Sequence, residues 1–421
     1  MARRAGAQTQ AAKRRRYSIA SEGAIADGQA LNTRMIQAAI DRCSAAGGGT
    51  IVIPKGTFLT GALFFQKGVN LHLDADAILK GSTNIDDYPQ VQTRWEGIER
   101  EWTSALLNFT DMEGVELTGE GTVDGSGDAW PRFRRPQGPR APNGAPQTPP
   151  QRPPAAGPRR GRPRLICFQN CREVRVADLH FHNQAVWCLH VLYSEDVTVE
   201  NLTIRANHDI PSSDGIDIDS CKNVRISRVD IDVNDDCITI KSGKDADGLR
   251  VNRPSDGVVV ENSHFRYGHG GVAMGSETSG GIRNVEVRDC VADADNWAPV
   301  RFKSQPSRGG VVENITYRNF QLQNVRRAFE FNMEWRMVPP IAPPAKVLPV
   351  VRNVKCINVS GTAHDVGLIH GLKDSPIDGV TFERCEIKAD RGLVIENARK
   401  VDIDGLKIEV KEGAPVTRRN A

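Results

Sequence analysis

Short runs of alternating apolar and polar residues recur along most of the chain. Each opens on a small or polar residue followed by Val or Ile. The phrase reads GVNLHLD from Gly68, GVELTGE from Gly114, EVRVADL from Glu173, DVTVENL from Asp196 and NVRISRV from Asn223. It continues as GVVVENS from Gly257, NVEVRDC from Asn284, NITYRNF from Asn314, NVKCINV from Asn353, GVTFERC from Gly379 and KVDIDGL from Lys400. Alternation with a period of two, broken by Gly, Asn or Asp, is the pattern of short strands ended by turns. The shorter intervals between phrases run from 21 to 30 residues, and the longer ones coincide with Gly- or Pro-rich inserts. Units of this length built from short strands predict the coils of a parallel β-helix. Leucine-rich repeats share the period, but their Leu-x-x-Leu-x-Leu signature is absent. Propeller blades need longer units with tight hairpins.

Ahead of the coils, LNTRMIQAAIDRCSAAGGG reads as a short amphipathic helix. Asn32 is its expected cap, Met35, Ile36, Ala39 and Ile40 its apolar stripe, and Gly47–Gly49 its stop. A helix there can cover the open end of the stack and shield it from edge pairing. The stretch 131–164 holds eleven prolines and nine arginines, so it reads as a disordered surface insert. The expected organisation is a flexible basic N-terminus over 1–16, a β-helix over 17–416 carrying that insert, and a tail over 417–421.

Charge sharpens this division. The net charge is only +3, yet residues 1–17 carry six basic side chains and no acidic ones, as does the insert with its arginines. The folded body is therefore acidic. It shows no basic stripe with interleaved aromatics, so no nucleic-acid partner is expected. No apolar run approaches the length of a membrane span. Nine cysteines, an odd number without a CxxC pair, read as small core residues rather than disulfides or a zinc site. The N-terminal stretch is charged but lacks the apolar centre of a complete signal peptide.

Candidate chemistry begins at NDDCITIK, where Asp235 and Asp236 are adjacent. Neighbours on an ideal strand point to opposite faces, which would send one carboxylate into the core. Asp214, in PSSDGID, precedes Asp235 by 21 residues, about one coil. Stacking would then gather Asp214, Asp235 and Asp236 into one cluster whose carboxyls cannot all ionise freely. The plainer reading, turn-forming Asp-Gly and Asp-Asp, fits each alone but not the spacing. His269 lies between Gly268 and Gly270, where a backbone can come close to a ligand. Arg301 and Lys303 are two apart and share a strand face, either as a carboxylate-binding pair or as a solvated face. Trp297 suits either stacking on a sugar or core packing.

Together, Asp214-Gly215, Asp235-Asp236, Gly268-His269-Gly270 and Arg301-Phe302-Lys303 resemble the motifs of glycoside hydrolase family 28, the polygalacturonases, in the family's order. The resemblance runs from about Tyr17 to Val416 outside the insert, and SGKDADGLRVNRPS and GSETSGG are similar to the bacterial exo-acting branch. It implies an all-β, single-stranded right-handed parallel β-helix of the pectin-lyase-like kind. It also implies hydrolysis of α-1,4-galacturonosyl bonds with inversion. By motif, Asp235 would be the general acid, Asp214 and Asp236 would hold and activate the water, and His269 would tune the acid. Arg301 and Lys303, with Gly268 and Gly270, would bind substrate. No metal or other cofactor is implied. The expected partner is a pectic polysaccharide or oligogalacturonide, the protein a monomer, and its location secreted or periplasmic. For both aspartates to reach the cleft, the strand must bend at Asp235. Ser212-Ser213 depart from the family's Asn-Thr, and Phe302 from its Ile. Rhamnogalacturonan hydrolysis, a Ca²⁺-dependent pectate lyase and a non-catalytic glycan-binding β-helix remain the alternatives.

Overall fold

The computed structural model describes residues 15–130, 161–336, 340–341 and 345–420. The expectations for residues 1–14, and for the insert from 131 to 160, lie outside them. The opening residue of all eleven phrases adopts a left-handed backbone, from Gly68 (φ 79°) through Asn223 (φ 54°) and Asn284 (φ 56°) to Lys400 (φ 51°). Gly and Asn tolerate that conformation best. The phrase is thus a corner followed by a strand, and its polar first residue is the turn. Several corners also join successive coils, as Asn314 Nδ2 donates to Asn284 Oδ1 at 3.2 Å and Asn358 Nδ2 to Asn319 Oδ1 at 2.9 Å.

The strands stack in parallel, coil upon coil, into one right-handed β-helix with three files of inward residues. One file runs Leu107, Ile166, Leu189, Ile216, Ile238, Val272, Val300, Phe329. A second runs Leu71, Leu117, Val176, Val199, Ile226, Val260, Val287, Tyr317. A third runs Leu79, Val123, Phe181, Ile204, Ile231, Phe265. These residues are almost fully buried and form one continuous core. All nine cysteines are buried and unpaired, as small core residues.

The N-terminal helix spans Thr33–Ala45 and buries Ile36, Ala39, Ile40 and Cys43. Met35 is only half-buried, so the stripe lies one position further round than expected. Asn32 precedes the helix but does not cap it with its side chain. Its amide instead bridges Ile25, Ala30 and Leu59 and ties the helix to the first coils. At the far end, Val416–Arg419 pairs with Leu393–Glu396 and extends the last coil, where a tail from 417 was expected. Its four residues are too few to show an alternation.

Two inserts interrupt the stack on one side. SGKDADGLRVNRPS contains the helix Asp245–Val251. The strands Gln90–Trp95 and Ile98–Thr103 form an antiparallel hairpin that belongs to no coil. Its turn, Glu96 (φ 46°) and Gly97 (φ 78°), has the paired left-handed residues of a tight two-residue hairpin.

Candidate active site

Six consecutive coils supply the floor of a cleft of about 510 Å³ on the side of the helix that carries both inserts. Their outward file runs His190, Asp217, Thr239, Ala273, Arg301, Glu330. Asp214 lies just before the strand Ile216–Asp219, and Asp236 opens the strand Asp236–Lys241 on the next coil. Ile216 pairs with Ile238, so the 22-residue step from Asp214 to Asp236 is one turn of the stack. The alternation breaks where expected: Cys237 and Ile238, adjacent in sequence, are both in the core. This bend frees Asp235 and Asp236 to face the cleft together.

Carboxylate oxygens of Asp214, Asp235 and Asp236 lie within 4.8 Å of one another. Side-chain exposure differs: 5% for Asp214, 28% for Asp235 and 1% for Asp236. Gly268 and Gly270 make the packing possible. An added Cβ at Gly270 would lie 2.8 Å from Asp236 Oδ1, and one at Gly268 2.8 Å from the Asp235 carbonyl. Both glycines are needed for this close approach beneath the carboxylates. Gly215 serves similarly, its position lying 2.4 Å from the Cys237 carbonyl when a Cβ is added.

Protein cations already answer these charges. His269 Nδ1 lies 3.2 Å from Asp235 Oδ1. Lys303 Nζ contacts Asp236 Oδ2, and an Arg301 terminal nitrogen lies 3.3 Å from Asp236 Oδ1. That same Arg301 nitrogen donates to the His269 carbonyl at 2.7 Å, and Arg301 Nε lies 2.8 Å from Glu330 Oε2. Arg301 and Lys303 are buried in the cleft wall, which overturns the solvated-face reading. Phe302 between them points into the core. Among the described residues the grouping nearest to a metal-ligand set is the same aspartate trio, whose neutralising charge the protein supplies.

Burial and the neighbouring charges of Asp217 and Asp235 push the Asp214 carboxyl well above its ordinary value. Burial also acts to raise Asp235, but the hydrogen bond and charge of His269, with Lys303 and Arg301 beyond, outweigh it and hold Asp235 low. For His269, burial acts downward and is outweighed by Asp235 and Asp236, which lift it above 6.5. Asp214 therefore has a raised proton affinity, while Asp235 and His269 form a charged couple.

The walls hold residues the sequence reading missed. Glu96 enters from the hairpin tip, Trp187, Lys241 and Glu277 line the cleft with it, and Trp335 lines it as well. The Arg301 guanidinium carbon lies 4.8 Å from the centre of the Trp335 ring. Trp297 lines the cleft and is 43% exposed, so it is not a core residue. Ser212 also lines the cleft, while Ser213 Oγ accepts from the Asn234 amide at 3.1 Å. The hairpin was readable as alternation around Glu-Gly in VQTRWEGIEREWT. Trp335 sits in a connection without periodicity, and no local signal marks it.

Both inserts are locked together. The Lys244 amide donates to the Gly97 carbonyl at 2.9 Å, and the Glu99 amide to Asp247 Oδ2 at 3.0 Å. The Ile341 amide donates to Asp245 Oδ2 at 2.8 Å, bringing in the connection after Trp335. Arg94 anchors the hairpin to the floor at 2.7 Å from Asp219, both fully buried. Arg164, expected in the disordered insert, is also buried and lies 2.6 Å from His190 Nδ1. Arg94→Met leaves Asp219 buried without its partner and is expected to cost about 3–5 kcal/mol of stability. A thermal or denaturant melt checks this, and an unchanged midpoint would mean that the anchor contributes nothing.

A parallel β-helix with a cleft of clustered carboxylates, flanking cations and indole rings defines a carbohydrate hydrolase. The profile of glycosyl hydrolases family 28 matches residues 43–403, and the chain belongs to that family. It is 28% identical over 385 residues to a probable polygalacturonase of Vitis vinifera, covering 88% of this chain and 74% of that protein. It is 29% identical over 340 residues to an exo-poly-alpha-D-galacturonosidase of Dickeya chrysanthemi, covering 74% of this chain but only 55% of that one. Among solved structures, the hyperthermoactive exopolygalacturonase of Thermotoga maritima superposes with a TM-score of 0.75 at 29% identity. That superposition covers 97% of this chain and 92% of that one. No described helix is long and apolar enough to cross a membrane.

Proposed function

We propose that the protein hydrolyses α-1,4-galacturonosyl bonds at the end of a pectic chain or oligomer, with inversion. The observation that carries this reading is the convergence of the aspartate trio, His269, Arg301 and Lys303 on one cleft. Arg301 and Lys303 bind the carboxylate of a galacturonate beside the cut through charge-assisted hydrogen bonds. Asp235 is the most open of the three carboxyls, and it delivers the proton to the leaving oxygen. The His269–Asp235 couple holds one proton across 3.2 Å, and His269 passes it to Asp235 as Asp235 protonates the glycosidic oxygen. Asp214 and Asp236 hold the water. A carboxyl with raised proton affinity is the stronger base once ionised, so Asp214 takes the water's proton. The trio is tighter than the roughly 6.5–9.5 Å usual between acid and base in inverting enzymes. The water therefore lies against the base pair at the edge of the trio rather than midway between two distant groups.

The hairpin tip and Trp335 support action at a chain end, because they wall the cleft where an open groove would let a polymer pass, and the helix Asp245–Val251 braces the hairpin from behind. The enzyme works as a monomer and is secreted or periplasmic. Product analysis on polygalacturonate and rhamnogalacturonan tests the reading. Galacturonate or a short oligomer of fixed size is expected from the first minutes on polygalacturonate, while viscosity falls slowly. Shortening the hairpin between Pro89 and Ser104 is expected to speed the viscosity loss and broaden the products. A rapid viscosity drop in the unaltered protein would mean cleavage within the chain. Release from rhamnogalacturonan alone would move the substrate assignment to that polymer, and unsaturated, chelator-sensitive products would make the enzyme a lyase.

A further inference from the structure

Asp217 takes no part in the chemistry above, yet its burial needs an explanation. It lies on the outward file of the strand Ile216–Asp219, a face that meets water on an uncovered coil. Here it is fully buried. Its neighbour on the same face, Asp219, is claimed by Arg94. Asp217 has no such partner: among the described residues neither of its oxygens receives a well-formed hydrogen bond. Buried carboxylates left in that state are rare and costly.

Its nearest cation is Lys241, on the next coil. Lys241 Nζ lies 3.2 Å from Glu277 Oε2, 3.5 Å from Asp217 Oδ1 and 4.0 Å from Asp214 Oδ2, and 4.4 Å from the centre of the Trp187 ring. It is thus wedged between the carboxyl assigned as base and two acidic groups behind it. The charges acting on Asp214 are Asp217 from its own coil, and Asp235, Asp236 and Lys241 from the next. Glu277, His269, Arg301 and Lys303 stand further round the cleft, and Glu96 faces it from the hairpin.

Taking Asp214 as a base, as proposed above, we infer that Asp217 and Lys241 are positioning residues that act through it with opposite sign. Lys241 favours the ionised Asp214 that can accept a proton from water. Asp217 favours the protonated form and keeps Lys241 from pinning Asp214 as a permanent ion pair. Burial raises Asp217 itself to about 8 against the pull of Lys241, and its ionised form holds the proton on Asp214. A base whose affinity is trimmed from both sides can take a proton in one step and lose it before the next.

The test is the pH dependence of kcat/KM on a short oligogalacturonide for Asp217→Asn, Lys241→Met and Lys241→Arg. The acid limb is expected to move to lower pH in Asp217→Asn and to higher pH in Lys241→Met, each by about one pH unit, as for the loss of one neighbouring charge. Lys241→Arg is expected to restore most of the wild-type profile. Limbs that stay in place, or move in the same direction, overturn the inference. If Lys241→Met fails to fold in a thermal melt, Asp217→Asn decides alone: its limb moves down or the inference is wrong. Asp214→Asn separates the two levels. Activity retained in Asp214→Asn would remove Asp214 as base, whereas an inactive Asp214→Asn with unmoved limbs would remove only the roles of Asp217 and Lys241.

Discussion

Asp235→Asn is expected to lower kcat by about 10²–10⁴-fold, the usual contribution of a positioned acid, while a short oligogalacturonide still binds. The substitution keeps shape and removes the proton donor. Binding survives because Arg301, Lys303 and the indole walls are untouched. The accompanying pH profile follows from the couple with His269, which is lifted above 6.5 by Asp235 and Asp236 against the effect of burial. The couple therefore loses its proton as pH rises through the His269 value, so the alkaline limb of kcat lies above 6.5. Turnover above a tenth of wild type in Asp235→Asn would end the assignment. Lost binding together with lost turnover would point to a site that no longer assembles.

The Arg301–Lys303 pair carries the second large effect. Either residue changed to Met should lower kcat/KM on galacturonides by roughly 10- to 100-fold, matching about 1.5–3 kcal/mol for a hydrogen bond to a charged group. Arg301→Met should also destabilise the fold, because Asp236 and Glu330 are both buried against it. Lys303→Met is the cleaner probe, since Arg301 still faces Asp236. The measurement is kcat/KM on a free uronate oligomer beside its methyl ester. A Lys303→Met enzyme that falls equally on both would show that Lys303 serves the floor and not the substrate carboxylate. Full activity in both variants would remove the pair from substrate binding altogether.

The floor of the site was legible because stacking converts sequence distance into spatial contact. Asp214 and Asp236 are one turn of the stack apart, so counting residues placed them side by side. The bend at Asp235 was readable as well, from the cost of sending a carboxylate into the core. Arg301 and Lys303 share a face by simple alternation. The burial of that pair was hidden, because it depends on Trp335 and the segment around it, which lie in a stretch with no repeat. Lys241 stood in plain view at the end of DCITIK and looked like the polar end of a strand. Only the hairpin, arriving from far back in the chain, turns that end into an interior. Gly268 and Gly270 were recognised as close-approach positions, but what approaches them is the carboxylate floor. Arg164 was misread because composition assigns a whole stretch one character, and the last residues of the Pro-rich segment already belong to the fold.

The corner residues divide the protein into parts that can change separately. The carboxylates, His269 and the cation pair stand on or beside the stacked strands, where moving one residue would disturb every neighbour above and below. The hairpin and the helix Asp245–Val251 leave from between strands, so their length and content can vary while the register of the coils stays the same. Under selection, one protein of this design can trade attack at the chain end for attack along the chain by rebuilding only its margins. The catalytic apparatus would be inherited unaltered.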